Sequence, residues 1–153
     1  MRKLWHLTKR FGLALDRRQI SATTVDTVRQ VLLPKEYELW CRMPLIDQKH
    51  SVLVMRRFVI RAPQTEVTAV RAALMHDVGK TSSNLGIFER VFASIVGYRI
   101  KKYRTYHDHE SVGAVMLREI GSDEATCRLV SGVMIDGVDD TSVLRALREA
   151  DNI

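Results

Sequence analysis

The run Arg71-Ala72-Ala73-Leu74-Met75-His76-Asp77-Val78-Gly79-Lys80 joins an apolar helical segment to a His-Asp pair and a Gly-Lys turn. It places two metal-ligating side chains and a cation at one spot. The dipeptide alone carries little, because a short motif needs its context. The chain also holds a second pair, His107-Asp108. What surrounds the run therefore decides its meaning.

Working outward, the pattern reads as helical nearly throughout, and no segment alternates well enough for a strand. The three prolines sit at helix starts or in loops. Pro34 suits a first turn, with Glu36 and Glu38 where negative charge favours a helix N-terminus. That helix carries Tyr37, Leu39 and Trp40 toward Met43, and Pro44 separates it from the next. Asp47 or a neighbour opens a helix with Val52, Leu53, Met55, Phe58 and Val59 as a core stripe. Thr65 is the expected N-cap of a helix through Met75. Residues 81–84 read as a polar turn, and 85–96 as a helix with Gly97 as its stop. Residues 99–106 form a basic, tyrosine-bearing connector. A helix from about Asp108 or His109 to Ile120 ends at Gly121, Ser122 with Asp123 and Glu124 opens another, 137–140 is a loop, and a last helix starts near Thr141. The expected fold is all-α, a helical bundle.

At 153 residues, one domain with a sizeable hydrophobic core is expected. The two cysteines, Cys41 and Cys127, make no disulfide framework and suit a reduced, cytoplasmic chain. No apolar run reaches the length of a membrane-spanning helix. The stretch from Phe11 to Leu15 is too short for a signal-peptide core. The net charge of +6 is uneven. Residues 1–18 hold six basic side chains against Asp16 alone, a net of +5, while the remainder is nearly neutral at +1. This divides the chain into a basic arm, residues 1–20, and a domain, residues 21–153. The arm suits contact with nucleic acid or an anionic membrane. The plainer reading is a solvated leader, with Trp5, Leu7 and Phe11 docked on the body.

The His-Asp run has company. His50 lies near the start of one helix, His109 begins a later one, and Asp151 sits in the last. Several helices can bring such distant residues to one core. Two imidazoles and two carboxylates suit a hard or borderline divalent ion: Mn, Fe, Mg, Co or Zn. His76 and Asp77 diverge by about 100° on a continuous helix. They can share one ion only at a helix end, or if Asp77 bridges two.

At these residues the chain resembles the HD superfamily of metal-dependent phosphohydrolases. The family pattern of a His, a His-Asp pair and a distant Asp corresponds to His50, His76-Asp77 and Asp151. The run His76-Asp77-Val78-Gly79-Lys80 is similar to the family's HDIGK form, and His109-Glu110-Ser111-Val112-Gly113-Ala114 looks like its HPEIGA segment. The resemblance covers about residues 36–153 and looks closest to small stand-alone bacterial members with no assigned substrate. It implies a helical HD-domain bundle and a metal held by His50, His76, Asp77 and Asp151. It also implies hydrolysis of a nucleotide or another phosphate ester.

One departure stands out. Two-metal members carry a further His or His-His before the final Asp, whereas no His follows His109 here. Asp136 is the candidate replacement, and His109 is a second-metal or substrate residue. The expectation is therefore one ion per chain, with Asp77 and Lys80 carrying the chemistry. Lys80, Arg99, Lys101, Lys102 and Arg104 are candidates for phosphate binding. A solvated face is the alternative for that basic run, and a catalytically weak module that binds metal or nucleotide as a sensor or scaffold is the alternative for the whole.

Overall fold

The structure is a computed structural model that describes residues 19–83, 109–133 and 140–152, the side chains of residues 82 and 83 excepted. The basic arm over 1–18, the helix expected over 85–96, the connector over 99–106 and most of the 137–140 loop lie outside the described residues. Asp136, Arg99, Lys101, Lys102, Arg104, His107 and Asp108 lie outside them too.

Seven α-helices and one 3-10 turn are described, with no strand among the described residues. In chain order they are α1 (Ala22–Val31), α2 (Pro34–Cys41), α3 (Leu45–Arg61), α4 (Val67–Met75), the 3-10 turn Val78–Ser83, α5 (His109–Glu119), α6 (Glu124–Ser131) and α7 (Thr141–Asp151). The all-α expectation holds.

Short helices such as α4 are marginal alone, so packing must supply their stability. Helix α4 lies at the centre and packs against α1, α2, α3 and α6. Its Ala69, Ala72, Ala73, Leu74 and Met75 are all buried. The small alanines let the neighbouring helices approach closely, while Leu74 and Met75 fill the layer beneath. Helix α3 presents Val52, Val54, Met55 and Phe58 to this core. On its other flank it packs against α7, which contributes Leu144, Leu147 and Ala150. Helix α5 lies between α6 and the 3-10 turn. Trp40 of α2 is fully enclosed, and its indole Nε1–H donates to Ser51 Oγ at 2.9 Å. That bond ties α2 to α3 one residue from His50.

Several helix starts differ from the expected ones by a residue or two. Helix α3 begins at Leu45, and Asp47 lies in its first turn. Glu66, not Thr65, holds the N-cap position of α4, and Asp123, one of the residues expected to open α6, holds its N-cap position. Neither side chain caps its helix. Asp123 instead accepts from Arg71 Nη1 at 2.5 Å, so a tertiary partner took the group that local capping would have used. Helix α1 is not marked by the apolar pattern of the sequence. Only Val28 of it is buried, so it carries little apolar signal, and Ser21 caps it by accepting from Thr24 N. Gly121 and Gly132, which follow α5 and α6, have positive φ of 83° and 65°. Both therefore occupy backbone conformations that favour glycine.

Candidate metal centre

Helix α4 ends at Met75. His76 is its C-cap, and Asp77 lies between it and the 3-10 turn. This break resolves the angular problem of adjacent ligands. His76 Nε2 and Asp77 Oδ2 converge to 3.5 Å, although neighbours on a continuous helix would diverge.

Three further elements bring their side chains to the same place. From α3, His50 Nε2 lies 3.8 Å from Asp77 Oδ2. From α7, Asp151 Oδ1 lies 2.8 Å from His50 Nε2 and 3.5 Å from His76 Nε2. From the first residue of α5, His109 Nε2 lies 3.4 Å from Asp77 Oδ1. The His50 and His76 rings stand 5.4 Å apart between centroids, tilted by 59°. Thus His50, His76, Asp77, His109 and Asp151 are brought together across 101 residues of chain. Lys80 joins them: its ammonium donates to Asp77 Oδ2 at 2.5 Å, and the side chain is buried.

Asp77 presents its two oxygens to opposite partners. Oδ2 faces His50, His76 and Lys80, and Oδ1 faces His109. Burial favours the protonated form of this carboxyl, but Lys80 and the three imidazoles outweigh it and hold Asp77 well below the usual carboxylate range. Asp151 behaves alike: burial opposes its charge, and His50 and His76 override that to lower its pKa. For His76, burial disfavours the imidazolium, but the Asp77 and Asp151 carboxylates raise its pKa above the ordinary histidine value. The pocket is therefore built to hold positive charge between two ionised carboxylates.

The cluster of His50, His76 and Asp77 could hold a divalent ion. Ligand atoms around an ion at about 2.1 Å lie at most about 4.2 Å from one another. The four distances among His50 Nε2, His76 Nε2, Asp77 Oδ2 and Asp151 Oδ1 given above all fall inside that limit. His50, His76 and Asp77 each offer one ligand atom, and these three lie within 4.8 Å of one another, somewhat wider than that limit. His76 adds a more specific sign. Its Nδ1 lies 2.9 Å from Ala73 O. Only an N–H can donate to a carbonyl, so Nδ1 carries the proton. Nε2 is aimed into the site, buried and without a hydrogen-bond partner, and in the neutral ring it is the nitrogen free to ligate. A ligating imidazole oriented by a backbone carbonyl has this arrangement.

Two contributors were not identified as such from the sequence. The Ala73 carbonyl orients His76, and its only signal is the three-residue offset from a helix-terminal His. Gly79 sets the height of α5, since a Cβ built there would lie 1.9 Å from His109 O and 2.6 Å from Gly113 N. Its signal in the sequence is the glycine of the 76–80 run, which by itself indicates only a turn.

Residues 48–153, more than two thirds of the chain, match the HD domain family. The chain belongs to that family, whose members are in general metal-dependent phosphohydrolases. The match begins in α3 just before His50 and extends through α7, so it takes in every residue gathered at the site. No curated protein and no solved structure matches the chain. No described helix is long and apolar enough to cross a membrane.

Proposed function

We propose that this chain is a phosphohydrolase that binds one divalent ion through His50, His76, Asp77 and Asp151 and acts on a nucleotide or another phosphate ester. The observation that carries this reading is the buried Nε2 of His76, which has no hydrogen-bond partner and lies 3.5 Å from the Asp77 and Asp151 carboxylates while Nδ1 is held by Ala73. A bound divalent ion would supply Lewis-acid polarisation of a phosphoryl oxygen and a water of lowered pKa. The protein's own groups do the rest. The carboxylates of Asp77 and Asp151 neutralise charge and fix the site, and Asp77 orients what lies between it and His109. His109, about one fifth exposed, is the imidazole best placed to meet substrate. The basic set Lys80, Arg99, Lys101, Lys102 and Arg104 is the proposed counter-charge for the phosphate. The free thiols Cys41 and Cys127 fit a reduced, cytoplasmic setting.

The absence of any His after His109 motivates a second reading, a module that binds metal or nucleotide without turnover. Metal analysis of purified protein, followed by assays on nucleotides and p-nitrophenyl phosphate esters with Mn, Co or Mg, separates the two. One ion per chain is expected. Metal-dependent turnover lost in His76→Ala and Asp77→Ala supports the hydrolase. A bound ion with no turnover on any of these esters favours the module. Wild-type protein that takes up no ion would overturn the hydrolase, and one that binds neither ion nor nucleotide would overturn both.

A further inference from the structure

Lys80 and a divalent ion require the same atom. The Lys80 ammonium lies 2.5 Å from Asp77 Oδ2, and this is the Asp77 oxygen that faces both His50 and His76. An ion ligated by those residues would sit about 2.1 Å from that oxygen. Even on opposite sides of Oδ2, the ammonium and the ion would be at most about 4.6 Å apart. Both would be enclosed, since Lys80 and Asp77 are 7% and 2% exposed. Such burial leaves little solvent screening, and like charges at that range in a poorly solvated pocket strongly disfavour each other. The other Asp77 oxygen, Oδ1, faces His109 at 3.4 Å, so it is Oδ2 that the ammonium and the ion would share.

We propose that Lys80 is the exchangeable counter-ion of the metal centre: its ammonium holds Asp77 Oδ2 and must release it when the divalent ion binds. This rests on the metal site proposed above and adds to it. Lys80 is a positioning residue that keeps Asp77 ionised and in place. The exchange sets the affinity of the site for metal and frees a buried ammonium only once the ion is present. The freed donor then has an anionic partner available in a phosphate bound at the ion. Phosphate affinity and metal loading are thereby linked through one side chain.

Two readouts test the exchange. In titration calorimetry with Mn, Lys80→Met is expected to bind the ion at least tenfold more tightly than wild type, because the competing cation is gone. Lys80→Arg, which restores a positive charge, should return toward the wild-type value. If Lys80 merely orients Asp77 for the ion, Lys80→Met binds equally or more weakly, and the proposal is overturned. The second readout uses wild-type protein and does not depend on a variant folding. A buried, hydrogen-bonded lysine ammonium should be observable by 15N-lysine NMR, assigned by its loss in Lys80→Arg. Addition of Zn, which is diamagnetic, should shift or abolish that resonance. A resonance that stays in place while Zn binds overturns the exchange. Failure of wild type to bind either ion removes the metal site itself, an outcome distinct from a site that binds metal without involving Lys80.

Discussion

His76 occupies an unusual position for a buried side chain, since one ring nitrogen is bonded and the other is not. Nδ1 donates to Ala73 O, and Nε2 has no hydrogen-bond partner. Leaving a buried polar atom unsatisfied costs about 1–3 kcal/mol. A fold retains such an atom where a ligand satisfies it. Metal binding should therefore stabilise the protein. At a free ion concentration about a hundredfold above Kd the expected gain is about 2.7 kcal/mol. Thermal melts with and without Mn measure this directly. In His76→Ala the metal-induced rise in Tm should largely vanish, while the melt in EDTA changes far less.

At the scale of elements, the contact between the 3-10 turn and α5 is made backbone to backbone. Gly79 has no room for a Cβ against His109 O and Gly113 N, whereas a Cβ on Gly113 meets its nearest atoms at 3.2–3.3 Å. The two glycines should thus respond differently to the same substitution. Gly79→Ala forces α5 outward, carries His109 away from Asp77, and should cost about 3 kcal/mol or more in stability, at or above the usual overpacking range. Gly113→Ala needs shifts of only tenths of an ångström and should cost about 1 kcal/mol. Urea denaturation of the two variants tests the ordering. Equal losses would mean that α5 yields easily and that Gly79 does not set its position.

Across the whole molecule, α4 carries both the site and the main structural ion network. Arg71 lies five residues before His76 and reaches three other elements. Its Nε donates to Val31 O at 2.9 Å, its Nη1 meets Asp123 Oδ2, and its Nε lies 3.9 Å from Glu36 Oε2. Glu36 is fully buried and accepts from Leu33 N at 2.9 Å, capping α2. Its other oxygen has no hydrogen-bond partner. A buried carboxylate of this kind depends on a nearby cation. Removing one partner of a buried pair costs about 3–5 kcal/mol, because the other charge is left uncompensated. Arg71→Leu should fall near the lower figure, since Arg71 retains some exposure. Paired with Glu36→Gln, the loss should be smaller than the sum of the two single losses. A double-mutant cycle by chemical denaturation gives that coupling, and strict additivity would show that the two groups do not interact.

The helical class was legible along the chain because periodic apolar stripes such as Val52 to Val59 and the positions of Pro34 and Pro44 are local signals. The candidate site residues were legible too, since His50, His76-Asp77, His109 and Asp151 stand in a spacing that resembles the HD pattern, and the family match over residues 48–153 covers them. Helix starts were less legible where a distant partner overrode a local cap, as Arg71 did at Asp123. The sequence by itself determined which residues have metal-binding chemistry and that helices carry them. Only the tertiary structure decided that Asp151 reaches His50 across 101 residues, that His76 and Asp77 converge because α4 ends at Met75, and that Lys80 takes the Asp77 oxygen facing the imidazoles. The reason is physical. Helix propensity and periodicity act over a few residues, whereas the meeting of side chains from four elements depends on how those elements pack.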